Sequence, residues 1–183
     1  MKKLIFAAIV LIAGFSTTIM AQTAATVTGT SAGAVLVVPM TLTETSPLHF
    51  GSIILNDALG GTVVLSTAAV RTVTGGVSTT GVAPTATNAK YDVTGTYNET
   101  YALTLPATIT VTETLATTGI KTMEISALTV LFNGGAETTG VGATSLLSGT
   151  GTDNFSVGGT LTIAAAQIAG IYTGTFPVTV DYN

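Results

Sequence analysis

Few side chains in this sequence could carry acid–base, nucleophilic or metal chemistry. The 183 residues include one histidine, His49, nine Asp and Glu residues, and no cysteine. A catalytic triad needs a nucleophile, a base and an orienting acid within mutual hydrogen-bond reach, and no such pattern surrounds His49. The lack of cysteine excludes disulfides, zinc–thiolate sites and cysteine nucleophiles. We therefore expect a structural or surface role for His49, no cofactor and no enzymatic activity.

Some acidic and amide residues could bind Ca²⁺ through their oxygen atoms. They are Asn56–Asp57, Asp92 and Asp153–Asn154. Their spacing lacks the dense Asp, Asn and Gly repeat of a calcium loop, so turn formation is the favoured interpretation. We therefore predict no metal site.

Three tyrosines, Tyr91, Tyr97 and Tyr101, lie close together in the sequence. Their rings could form a platform for a sugar, but their places in and between two predicted strands favour core or cross-strand packing. Carbohydrate binding or adhesion by a self-contained secreted or surface module is therefore kept as the alternative function.

The composition is that of a weakly charged chain. Lys, Arg, Asp and Glu make up 8% of the residues and hydrophobic residues 46%, whereas roughly 25% of residues are charged in ordinary soluble proteins. Five basic residues are too few for a nucleic-acid-binding surface. Nucleic acid is therefore not expected as a partner.

The N-terminus has the layout of a secretory signal peptide. A pair of lysines precedes an apolar run at residues 4–15, which is shorter than the roughly 20 residues of a membrane-spanning helix. We predict that residues 1–21 are removed by cleavage after Ala21, which leaves no membrane span. Residues 22–34 would then form an N-terminal extension and residues 35–183 the folded domain.

Beyond the extension, the dominant pattern has a period of two residues. Short runs rich in Val, Ile, Thr and Tyr are separated by Gly, Asn and Pro, as in antiparallel β-sandwiches. The predicted strands cover residues 26–30, 35–43, 62–66, 70–74, 91–95, 101–105, 109–113, 123–131, 160–164 and 172–182. The sequence therefore predicts an all-β chain.

The last predicted strand has the clearest alternation. Its even-numbered residues are Tyr172, Gly174, Phe176, Val178, Val180 and Tyr182. Pro177 cannot donate a ladder hydrogen bond, which places this strand at a sheet edge or at a bulge. A long apolar edge strand is an aggregation hazard, so a partner strand must cover it, either from the same domain or from another chain.

Two features of the sequence resemble those of the pilins that the chaperone–usher route assembles. Gly170 is fourteenth from the C-terminus and Tyr182 is penultimate, and residues 48–51 (Leu-His-Phe-Gly) are similar to the Leu-x-Phe-Gly of such domains. The chain also resembles a secreted bacterial family of unknown function, numbered 4402. That likeness covers most of residues 35–183 and is carried by residues 48–51, 95–105, 155–161 and 170–176.

The resemblance implies an immunoglobulin-like β-sandwich whose last strand lines a groove left by a missing strand. In chaperone–usher pilins a periplasmic chaperone fills this groove temporarily. The residues implied to contact a chaperone or a neighbouring subunit are Gly170, Tyr172, Phe176, Val178, Val180 and Tyr182.

If subunits join by strand donation, the N-terminal extension is the available donor. Its anchors would be Val27 and then either Val35 and Val37 or Leu36 and Val38, because main-chain bonds give affinity and alternate side chains give register. Gly29 and Gly33 stand where larger anchors would be expected, so a flexible leader before an ordinary first strand stays an equal alternative.

We therefore expect a structural subunit of an extracellular fibre, with copies of itself or other fibre subunits as partners. It would pass through the periplasm of a Gram-negative bacterium to the cell surface or medium.

Overall fold

The computed structural model describes residues 28–56 and 59–183. The predicted signal peptide at residues 1–21, the anchor Val27 and the acidic residue Asp57 lie outside the described residues. One compact unit covers Leu36–Asn183.

The described residues are all-β, as predicted. Among them there is no helix long and apolar enough to cross a membrane. Every pairing between the strands is antiparallel. The strands are β1 Thr41–Ser46, β2 Ile53–Leu55, β3 Gly61–Leu65, β4 Arg71–Gly75, β5 Val77–Thr79, β6 Ala89–Thr94, β7 Thr100–Thr104, β8 Ile109–Glu113, β9 Thr122–Phe132, β10 Thr138–Thr139, β11 Thr144–Leu146, β12 Thr152–Ile163, β13 Tyr172–Thr173 and β14 Thr179–Tyr182.

The largest sheet is organised around β12, in the order β1-β6-β12-β9-β8-β13. One edge of β12 pairs first with β6 and then with β3, while the other edge pairs with β9. The partner changes at Gly158, where an added Cβ would lie 2.3 Å from the carbonyl oxygen of Leu65. The β3 backbone can therefore approach β12 only because no side chain stands at this position.

The two smaller sheets have the orders β11-β7-β14 and β2-β5. Tyr101 of β7 is fully buried, and its ring meets that of Phe132 of β9 edge-on with centroids 6.0 Å apart. Tyr91 of β6 stacks on Phe155 of β12 at 5.0 Å. The three-stranded sheet and the largest sheet therefore share one hydrophobic core.

The prediction of one continuous strand over residues 172–182 is wrong. β13 pairs with β8 of the largest sheet, whereas β14 pairs with β7 of the three-stranded sheet. Pro177 lies in the break and cannot donate a ladder hydrogen bond. The chain therefore changes sheets within this stretch.

The N-terminal strands are also shorter than predicted. Residues 28–30, the described part of the predicted strand 26–30, are in no strand, and the strand expected over 35–43 begins only at Thr41. The strand propensity of residues 35–40 is not enough to form a strand, because no neighbouring strand of the described chain supplies main-chain partners there.

Candidate assembly edge

Residues 172–182, called here the C-terminal segment, keep the predicted alternation despite the break between β13 and β14. The half-buried residues are Tyr172, Phe176, Val178, Val180 and Tyr182, and the residues between them are exposed. Four of the five, from Phe176 onward, pack against the hydrophobic core. These five half-buried residues therefore face inward, with the alternation of an extended chain.

The outer edge of β14 has no strand partner within the described residues. β14 pairs with β7 from Thr179 opposite Thr104 to Tyr182 opposite Tyr101, and it is the last strand of its sheet. β1 is likewise the last strand of the largest sheet and pairs only with β6. Unpaired edges of this kind are templates for an added strand.

The Tyr182 hydroxyl joins the end of β14 to the chain just before β1. It donates to the Val38 carbonyl oxygen at 2.7 Å and accepts the Thr96 backbone N–H at 2.7 Å. The Val38 N–H donates to Thr96 Oγ1 at 2.8 Å. A Cβ at Gly95 would lie 2.6 Å from the Tyr182 hydroxyl oxygen, so this approach requires glycine there. Val38 is thereby fixed at the entry to β1.

Two cavities lie where the C-terminal segment faces the first part of the domain. The Tyr182 cavity has a volume of about 410 Å³ and is lined by residues 37–40 and 180–182. The Tyr172 cavity has a volume of about 470 Å³ and is lined by residues within 48–55 and 167–172, with apolar side chains of β8, β9 and β12. The first part of the domain and the C-terminal segment therefore run in opposite directions, with a cavity at each end.

The wall of the Tyr172 cavity contains a buried amide with an unused acceptor. Gln167 Nε2 donates to the Tyr172 hydroxyl at 2.7 Å, and this hydroxyl donates to the Ile168 carbonyl oxygen at 2.7 Å. Gln167 Oε1 is buried without a hydrogen-bond partner in the described structure. Gly170 is exposed and precedes β13, and a Cβ there would lie 2.3 Å from Cγ of the buried Glu113. Gly170 therefore lets the turn before β13 pack closely.

An exposed apolar run precedes β1. Val35 is 83% exposed and Leu36 92%, and Val37 and Val38 are also exposed. Residues 28–40 are in no strand. Burial of a valine or leucine side chain contributes roughly 1.5–3 kcal/mol, so this run is an unused source of binding free energy.

The other candidate residues form no further site together. His49 is exposed, lines the Tyr172 cavity, and its Nδ1 accepts the Gly51 N–H at 2.8 Å. Tyr91 and Tyr101 are buried while Tyr97 is 64% exposed, so the three rings form no common platform. Tyr91 and Tyr101 agree with the core-packing interpretation, whereas Tyr97 does not.

The acidic candidates do not converge. Asp153 is buried and accepts hydrogen bonds from the hydroxyls of Tyr101 at 2.9 Å and Ser145 at 2.6 Å. Asn56 and Asp92 are exposed on other strands and loops. In residues 28–56 and 59–183 no three acidic or histidine side chains are grouped as metal ligands would be.

Burial raises the pKa of both core tyrosines. The pKa of Tyr91 rises to about 12, through burial first and the nearby Glu44 carboxylate second. The pKa of Tyr101 is raised further, by burial and then by its hydrogen bond to Asp153. Both hydroxyls therefore stay neutral at physiological pH.

Fold and site together define an all-β, antiparallel protein with open edges on two of its sheets. The chain belongs to the family described as Domain of unknown function (DUF4402), whose model matches residues 40–182. This finding confirms the predicted membership of family 4402. No curated protein matches the chain in sequence.

The sequence pattern located the C-terminal segment but missed the residues that face it. Val38 and Thr96 form hydrogen bonds with the Tyr182 hydroxyl, Gly95 leaves room for it, and Ile53 and Leu55 line the Tyr172 cavity. The predicted strand 35–43, the Leu-His-Phe-Gly motif at residues 48–51 and the resemblance over 95–105 lie near these residues, but none of them indicated the contacts with the C-terminal segment.

Proposed function

We propose that this protein is a structural subunit of an extracellular fibre, in which one chain completes the β-sheet of the next. In this proposal the chain is exported through a cleaved signal peptide at residues 1–21 and assembles at the surface of a Gram-negative bacterium. It has no catalytic role.

One observation carries the proposal. The outer edge of β14 lacks a strand partner in the described chain, while residues 28–38 are exposed and in no strand. The same subunit therefore has a sheet edge without a strand partner and an exposed segment that belongs to no strand. Strand addition to an exposed edge provides main-chain hydrogen bonds, and alternate side chains provide specificity.

The shared core supports an immunoglobulin-like β-sandwich as the underlying fold. Tyr101 and Leu103 of the three-stranded sheet are buried together with Phe132, Val157 and Leu161 of the largest sheet. In this interpretation the strand that would lie outside β14 is the missing one, and a neighbouring subunit supplies it.

An open edge also suggests a temporary partner. Before assembly, the half-buried apolar residues of the C-terminal segment and the unpaired β14 edge would favour aggregation. A periplasmic chaperone that lends a strand is the partner with the matching chemistry, because it would satisfy the main-chain groups and cover the apolar face.

Deletion of residues 22–34 tests the proposal. The deletion should leave a folded monomer, because these residues lie outside the compact unit Leu36–Asn183, but it should abolish polymer formation. Light scattering and electron microscopy of the exported protein give the readout, and circular dichroism confirms the fold. Replacing residues 22–34 with a Gly/Ser segment of the same length is the matched control for loss of mass. A deletion variant that still forms filaments would refute strand donation by this segment.

A further inference from the structure

We propose that the Tyr172 cavity binds a single-chain amphiphile, with the apolar chain inside the cavity and a carboxylate head at His49. All residues that line this cavity belong to the compact unit Leu36–Asn183. The inference goes beyond the proposed fibre function, because it assigns a small-molecule ligand to a cavity within one chain.

The interior of the Tyr172 cavity suits an apolar chain. Its volume of about 470 Å³ lies within the roughly 300–1,000 Å³ of small-molecule sites. Apolar side chains of β2, β8, β9 and β12 form the wall, and they are Ile53, Val111, Met123, Ile125, Leu161 and Ile163. Each methylene group of a ligand that is buried here adds favourable hydrophobic free energy. Affinity should therefore rise with chain length until the cavity is filled.

The ring of His49 is held in place with one donor left for a ligand. The His49 N–H donates to the Thr87 carbonyl oxygen at 2.8 Å, and the Gly51 N–H donates to His49 Nδ1 at 2.8 Å. Because Nδ1 accepts a hydrogen bond, the proton of the neutral ring lies on Nε2. His49 is exposed and lines the cavity, and within the described residues its Nε2 has no hydrogen-bond partner. This N–H can therefore donate to a ligand.

The charge behind the same wall favours an anionic head. Arg71 Nη1 donates to the carbonyl oxygens of Phe50 and Ser52, both at 3.0 Å, and its Nη2 donates to that of Thr80. These acceptors are neutral, and no carboxylate of the described residues pairs with the guanidinium, so its positive charge is uncompensated. In a chain whose net charge is −4, this wall is complementary to a carboxylate.

The opposite end of the cavity disfavours the head. Glu113 is buried beside Gly170, and its carboxylate accepts two backbone N–H groups. Gln167 Oε1 is a buried acceptor without a partner in the described structure, and the Tyr172 hydroxyl already donates to a backbone carbonyl. A carboxylate there would meet negative charge and oxygen lone pairs. The tail of the ligand therefore points toward Gln167 and the head toward His49.

Titration calorimetry of the exported, full chain with decanoate and decanol tests the proposal, because these ligands share a chain and differ in the head. Below micelle-forming concentrations, a single decanoate should bind per chain, about tenfold or more tightly than decanol, since a hydrogen bond to a charged group is stronger than one to a neutral group. His49→Phe keeps a ring and removes the Nε2 donor. It should weaken decanoate binding about tenfold and leave decanol binding unchanged.

A pair of tryptophan variants tests the location. Ala169 is exposed and lines the cavity, whereas Ala165 is exposed and does not line it. Ala169→Trp should occupy the cavity and weaken the binding of both ligands by at least about tenfold. Ala165→Trp adds the same ring elsewhere and should change neither affinity. Circular dichroism confirms the fold of each variant.

Absence of saturable decanoate binding, or decanoate binding that Ala169→Trp leaves unchanged, would overturn the site. Equal affinity for decanoate and decanol would overturn the position of the head, and this comparison still decides if His49→Phe fails to fold. Decanoate binding unaffected by His49→Phe would overturn it too. Light scattering of the same samples follows filament formation separately, so failure of this inference is distinguishable from failure of the fibre function.

Discussion

β12 and the C-terminal segment are both alternating apolar stretches, yet they differ in their main-chain partners. β12 is paired on both edges, by β6 and β3 on one side and β9 on the other. The C-terminal segment is broken into β13 and β14, and each is the last strand of its sheet. Alternation thus reports which side chains face inward, whereas the number of neighbouring strands decides whether an edge is available for another chain.

The largest difference between these two regions should be in the loss of unfolding free energy when a buried ring is removed. Phe155→Ala in β12 removes a fully buried ring and should lower the free energy of unfolding by about 3–5 kcal/mol. Phe176→Ala removes a half-buried ring and should cost clearly less. Urea unfolding of the monomeric variant lacking residues 22–34 measures both. Equal losses at the two positions would show that the C-terminal segment is as fully packed as β12.

Removal of the Tyr182 hydroxyl should lower the free energy of unfolding by less than removal of the Phe155 ring. Tyr182→Phe keeps the ring but removes the bonds to the Val38 carbonyl and the Thr96 N–H, and it should cost about 1 kcal/mol in unfolding free energy. Tyr97→Phe, at an exposed ring, is the control and should change stability by less than about 0.5 kcal/mol. The same urea denaturation assay measures both variants. A Tyr182→Phe variant with an unchanged free energy of unfolding would show that this contact does not fix the entry to β1.

The buried tyrosines should make the stability of the fold depend on pH only in the alkaline range. The pKa of Tyr91 is raised to about 12 and that of Tyr101 is raised as well, against about 10 in the unfolded chain. Because the unfolded state loses these protons first, stability should be intact below about pH 10 and fall as the pH rises through about 12. Absorbance of ionised tyrosine in the folded protein should show two of the five tyrosines titrating last. Five tyrosines ionising together near pH 10 would contradict their burial.

Sequence pattern predicted the all-β class and most of the longer strands. The predicted strand 109–113 coincides with β8, because Ile109, Thr110, Val111 and Thr112 all have high strand propensity. The short strands β2, β5, β10 and β11 were missed, since two or three residues become a strand only when a tertiary partner is present. The first half of β12 was missed because its polar face contains Asn154 and Ser156.

The C-terminal segment shows a second limit of prediction from the sequence. Alternation identified Tyr172, Phe176, Val178, Val180 and Tyr182 as one face, and their half-buried state agrees with this. It could not show that the segment changes sheets near Pro177 or leaves cavities at its ends. Those features depend on residues 37–55, which lie more than a hundred positions away in the chain.

The central claim is that another chain covers the open edge of β14, and hydrogen–deuterium exchange tests it most directly. Amides of the C-terminal segment should exchange at least about tenfold more slowly in assembled protein than in the monomer lacking residues 22–34, a factor equal to 1.4 kcal/mol of added protection. Amides of β12, already paired on both edges, should be unchanged and serve as the internal control. Equal exchange of the C-terminal segment in the two states would contradict strand donation at this edge.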